Sequence, residues 1–241
     1  MDVEKLLQQI LTRYTNGKAD SRKLNAVARK VAEGLGGYAD AQNYAIEAGR
    51  LLTEALREYL PEALTDGRLY REFADVLVRT PLETAGRDVA QIATAVQETL
   101  NQGAGIGLSA IVPEMNDDQV TGIITGICNA PSYENNVLQF MDQVENCLQG
   151  YVDDFIRENA GFQSDAGLTI TVERIATGSK PCEWCTGLAA KSPYPFSEVA
   201  NKGHDVWKRH LSCKCLIIYD PRGSKRREVY NGTVNPRRRK K

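Results

Sequence analysis

Two short stretches concentrate the residues able to do soft-ligand chemistry. "PCEWCTGLAA" carries Cys182 and Cys185 as C-x2-C, and "KRHLSCKC" carries His210, Cys213 and Cys215 as H-x2-C-x-C. Four of the six cysteines and both histidines of the chain therefore fall inside 34 residues. Thiolate sulfur and imidazole nitrogen are the donors of tetrahedral zinc, and a C-x2-C turn folds two sulfurs toward one ion. On an extended strand, residues two apart share a face, which sends Cys213 and Cys215 inward together. Five donors compete for four places: Cys182, Cys185 and Cys215 are the preferred ligands, and His210 and Cys213 contest the fourth. A dithiol redox switch would need a strand-to-helix setting in a parallel sheet, and no such pattern is legible. A set of thiolates with no general-base carboxylate is a closed, structural site, not a catalytic one.

The elements that must position these donors change character along the chain. The first 160 residues read as successive helices, with apolar residues three and four apart. Tyr38, Ala41, Ala45, Ala48, Leu52, Ala55 and Tyr59 make one stripe. Thr80-Pro81-Leu82-Glu83 has the composition of a capping box that opens a second helix. The segment from Asn101 to Gln119 interrupts with three alternating glycines. It reads as a connector and not a phosphate loop, since no strand precedes it and no Gly-Lys-Ser/Thr follows. Asn116 is the cap of a helix to about Cys128, and a longer helix spans about Ser132 to Asn159. There Val137, Met141, Val144, Leu148, Tyr151 and Phe155 form a heptad-like seam, read as the domain's own core. Cys128 and Cys147 read as small buried hydrophobes. Past Gly161 the period shortens to two in "LTITVERIA", a strand, and "CKCLIIYD" is another. The fold class is thus α+β, mainly α: a helical N-terminal body, then a small β-hairpin or sheet module stapled by a Cys/His zinc site, then a basic disordered tail. The expected divisions are 1–101 (helical), 102–166 (connector and long helices), 167–221 (zinc module) and 222–241 (tail).

Charge is segregated along the 241 residues. From Arg222 onward nine Lys or Arg face one acid, Glu228, so this tail carries +8 and residues 1 to 221 carry −9. Lys225, Arg226, Arg227, Arg237, Arg238, Arg239, Lys240 and Lys241 are the candidate nucleic-acid contacts. The acidic, amphipathic start lacks the basic and apolar regions of a secretory signal, and no apolar run approaches membrane-spanning length. A cytosolic site of synthesis follows, where thiols stay reduced.

The ordered series "GAGIGLSAIVPEMNDDQVTGII", "VDDFIRENAGFQSDAGLTITVERI", "CEWCTGLA" and "RHLSCKCLIIYDP" resembles the MuF-like minor head proteins of tailed phages, over about Gln102 to Pro221. The resemblance puts Cys182, Cys185, His210, Cys213 and Cys215 on the family's cluster positions and Trp184 on its aromatic. It implies a virion component of the capsid interior or portal vertex, assembled in the host cytoplasm. Its partners would be the portal or major capsid protein and, through the tail, packaged DNA, with an influence on DNA ejection and no membrane contact. Some relatives carry a toxin or ADP-ribosylating domain beyond this module. Here only a basic tail of about twenty residues follows Tyr219, so no enzyme is expected. The alternative from the residues alone is a zinc-containing nucleic-acid-binding protein or a His-Asn-His nuclease, because "GHDVWKRH" holds His204 and His210.

Overall fold

The computed structural model describes residues 2–178 and 181–224. The tail residues from Lys225 to Lys241 named above, and the DNA contacts expected of them, lie outside the described residues.

Helix α1 (Val3–Asp20) is capped by Asp2, whose side chain accepts from the Lys5 amide. Ser21 ends α1 and caps α2 (Arg22–Ala32) through its hydroxyl. The stripe from Tyr38 to Tyr59 is helix α3 with those bounds, and Ala41, Ala45, Ala48, Leu52 and Ala55 along it are fully buried. Helix α3 is central, packed by α1 and α2, by α5 (Thr80–Gly103) and by α7 (Tyr133–Asp165). Small residues let these axes come close. A Cβ placed on Gly49 would stand 3.1 Å from the Glu145 Cα of α7.

The expected capping box at Thr80 is not formed. Thr80 has helical angles (φ −59°, ψ −46°), no side chain caps α5, and the Thr80 carbonyl accepts from the Thr84 hydroxyl. The helix begins earlier, as α4 (Arg71–Ala74), and passes through a π-helical turn (Asp75–Arg79) before α5. Pro81 has no N–H to give the preceding turn, and a widened turn is a common way for a helix to absorb such a defect. Arg79, at the end of that turn, is bonded to Asp117 and to the Thr121 hydroxyl of α6 (Asp117–Cys128). Asn116 caps α6 as expected, accepting from the Gln119 amide at 3.1 Å.

Helix α7 starts at its expected cap, Ser132, but continues six residues past Asn159. Gly161 does not stop it, because Phe196 packs against that backbone and Gln163 and Ser164 are buried beneath the sheet module. Met141, Val144, Leu148, Tyr151 and Phe155 of the seam are buried, and they join the single large core that runs from α1 to the sheet. Cys147 is buried, Cys128 half-buried, and burial pushes the Cys147 thiol up to about 12.

Strand β1 (Thr171–Ile175) pairs antiparallel with β2 (Tyr194–Pro195) on one side and β3 (Leu216–Ile218) on the other. Both strands are shorter than the sequence pattern suggested. Cys213 and Cys215 precede β3 in irregular backbone, so their common burial comes from the approach to the strand and not from a ladder. Short helices α8 (Glu183–Ala189) and α9 (Phe196–Val199) complete the module. A buried polar network fastens the module to the helices. The Tyr219 hydroxyl donates to Gln163, Tyr38 donates to Gln97, and the Gln97 and Gln163 amides both donate to Asn101. Buried polar groups of this kind hold position only when satisfied together.

Candidate metal centre

Cys182 is the N-cap of α8, where its Sγ accepts the Cys185 amide at 3.3 Å. One turn of helix then returns Cys185 to the same side, so the C-x2-C spacing works here through a helix start. The Cys185 thiol is buried and Cys182 is exposed. From the other end, residues 208–215 cross α7 and bring His210 Nε2 to 3.2 Å from Cys182 Sγ and 3.1 Å from Cys185 Sγ. The His210 Nδ1 lies 2.6 Å from the Leu211 carbonyl. A carbonyl can only accept, so this bond puts the ring proton on Nδ1 and leaves the Nε2 lone pair facing the sulfurs.

Two overlapping triads result: Cys182, Cys185 and His210, and Cys185, Cys213 and Cys215, with ligand atoms within 4.8 Å of one another in each. All five expected residues are therefore gathered, with Cys185 common to both groups. Both contestants for the fourth place are present, one in each group. These groups could hold a metal ion, and the donor set fits one whose ligands are thiolate and imidazole. Cys213 and Cys215 titrate unequally. The Cys215 thiol hydrogen-bonds to Cys213, and Arg209 and Arg174 add positive charge, so Cys213 is held well below the ordinary thiol range and Cys215 is pushed above it. Cys182 is also lowered, first by the Cys185 amide.

The loop bearing three donors is held by the polar side of α7. Arg209 donates to both Asp153 oxygens (2.7 and 2.8 Å), to Gln42 Oε1 of α3 (3.0 Å) and to the Cys215 carbonyl (2.8 Å). Gln42 closes the triangle by donating to Asp153 at 2.6 Å. Asn146 donates to the His210 carbonyl at 2.8 Å, Ser212 to Asp142, and Lys214 pairs with Glu145. Ser212 sits at φ +56°, a left-handed conformation that costs an L-residue roughly 1 kcal/mol or more. Its hydroxyl bond to Asp142 helps hold it there.

Arg174, the penultimate residue of β1, is 1% exposed. Its NH1 donates to the Val206 and Lys208 carbonyls (2.6 and 2.9 Å), and its NH2 reaches Cys213 Sγ at 3.5 Å and Cys185 Sγ at 3.7 Å. The half-exposed Trp184 ring lies 5.2 Å from the guanidinium and edge-on to His210. His204 does not join this group. Its Nδ1 accepts the Val206 amide, and its ring meets Tyr194 edge-on.

Arg174, Arg209 and Asp153 lie in the stretches that carry the family resemblance, with no role assigned to any of them from sequence; Gln42 lies outside those stretches. One signal was available: the period-two pattern that buries Ile170 and Val172 puts position 174 on the same inner face. No local pattern announces Asp153, which lies off the apolar seam of α7.

A mainly helical α+β body carrying a small antiparallel sheet and a Cys/His cluster is the class defined by this fold and site. A family model described as VG15 protein matches residues 15–234, and the chain belongs to that family, a phage gene family. No curated protein and no solved structure matches the chain. Among the described residues no helix is long and apolar enough to cross a membrane.

Proposed function

We infer that this phage protein is a structural minor head protein of the MuF-like kind, associated with the portal or the inner capsid. The Cys/His cluster serves that role as a zinc-held staple. Zinc bound by Cys182, Cys185 and donors from His210, Cys213 and Cys215 would contribute folding free energy, on the order of 10–16 kcal/mol for small structural sites. The observation that carries the reading is the way the donor loop is built into the fold. Three cluster residues sit on a segment clamped to α7 and α3 by the Arg209–Asp153–Gln42 triangle, which suits a fixed structural joint. The donor groups contain thiol and imidazole with no carboxylate among the described residues, which favours a structural ion over an enzymatic one.

Support for the virion role comes from the phage family and from the sequence resemblance over residues 102–221. The basic residues from Lys225 to Lys241 are the proposed contact to packaged DNA, and the acidic remainder of the chain would leave that contact to them. Mass spectrometry of purified particles tests the role, and a chain absent from particles but abundant in the infected cell overturns it. For the DNA contact, five phosphate neutralisations give a log-log salt slope of about −4 to −5. Equal gel-shift by the full chain and by one ending at Asp220 would remove the tail from that contact.

A further inference from the structure

Arg174 is a buried cation that lacks a carboxylate among the described residues; its hydrogen-bond partners there are two carbonyls and two sulfurs. Guanidinium remains protonated at any pH a folded protein meets, and a buried charge left without a counter-charge is strongly destabilising. A neutral thiol is a weak acceptor, so the arrangement calls for negative charge on sulfur. Cys185 belongs to both triads of the cluster and Cys213 to the buried one, and the same NH2 group reaches both sulfurs. We propose that Arg174 is the positioning residue of the metal centre, a fixed guanidinium that neutralises the thiolates of Cys185 and Cys213 and holds both sulfurs toward one ion. The proposal rests on the reading of the cluster as a zinc site.

The charge balance fits. If Cys213 binds beside His210 and two of the other thiolates, a divalent ion leaves one negative charge, which a single guanidinium cancels; if four thiolates bind, the guanidinium cancels one of two. The planar fork is needed because Arg174 works in two directions at once: NH1 is fixed on the Val206 and Lys208 carbonyls while NH2 faces the sulfurs. A lysine ammonium supplies charge from one point and cannot span both sets. The Trp184 ring lies 5.2 Å from the guanidinium, which adds cation–π attraction.

The test uses the full chain, loaded with zinc for affinity and with cobalt(II) for spectroscopy. Arg174→Met is expected to weaken zinc binding about 10- to 100-fold, the usual effect of removing a group that orients metal ligands. It should also displace the cobalt–thiolate charge-transfer bands while the helical circular dichroism persists. Arg174→Lys should restore part of the affinity and leave the bands displaced, because charge returns without the fork. Wild-type affinity and bands in Arg174→Met overturn the proposal. Weakened binding with unmoved bands in both variants also overturns it, since that is the signature of a structural role alone. If Arg174→Met does not fold, the band position in Arg174→Lys decides in the same way. A wild-type chain that takes up neither zinc nor cobalt instead overturns the zinc reading itself.

Discussion

Replacing Asp153 with alanine removes the counter-charge of Arg209 at a place where water cannot substitute for it. The two side chains are 5% and 4% exposed, and both carboxylate oxygens accept from the one guanidinium. After the substitution Arg209 retains only the Gln42 amide oxygen and the Cys215 carbonyl. Removing one member of a buried ion pair costs about 3–5 kcal/mol. At roughly 2–4 °C per kcal/mol for a chain of this size, melting should fall by about 6–20 °C. Losing both charges together is different, because no ion is then stranded. The Asp153→Leu, Arg209→Met double variant should recover to within about 2 kcal/mol of the parent. Urea unfolding of the metal-loaded protein, followed by far-ultraviolet circular dichroism and extrapolated to water, measures all three. An Asp153→Ala cost below about 1 kcal/mol would refute the reasoning, and so would a double variant no more stable than Asp153→Ala.

Other expectations concern different parts of the molecule. Glu47 is buried against Ser21, Arg50 and Lys23, and its carboxyl is lowered to about 2, chiefly by the Arg50 hydrogen bond. A depressed acid stabilises the fold above its unfolded value, so this contribution is present above about pH 4.5 and lost as pH falls toward 2. Because Arg50 is itself substantially exposed, about 1–2 kcal/mol is a fair magnitude; Glu47→Gln should flatten the acid limb of the stability curve, and an unchanged limb contradicts the assignment. Gly49→Val should cost about 1–3 kcal/mol by forcing α3 from α7, whereas Gly122→Ala, which meets nothing within 4 Å, should be neutral or stabilising by up to about 1 kcal/mol; thermal melts that rank the pair the other way refute the close crossing. Chelation should raise amide exchange across residues 182–215 and leave α1 and α3 protected, and identical exchange with and without chelator would show that no ion staples the loop.

What the sequence made legible was whatever depends on neighbours in the chain. The α3 stripe gives both ends of that helix because its apolar spacing and its boundaries are local. The Asn116 and Ser132 caps are local too, and the C-x2-C and H-x2-C-x-C spacings suffice to nominate all five clustered donors. The Thr80 box misled for a physical reason: its residue types are also tolerated inside a helix, and a π turn that accommodates Pro81 leaves no distinct signature. The loop attachments were illegible because Asp153 and Arg209 are 56 residues apart. Read alone, Asp153 belongs to a solvent face of α7; the sheet module covers that face, and its arrival cannot be read from helical periodicity.

The clamp on α7 also carries a timetable. Asp142, Glu145, Asn146 and Asp153 leave the ribosome well before His210, Cys213 and Cys215, so the seat is made before the part that sits in it. During translation Cys182 and Cys185 spend an interval as a two-thiol stub, too few donors for a closed tetrahedral site. Metal capture at the full cluster would then be a closing event, open only once the segment bearing His210, Cys213 and Cys215 has been delivered.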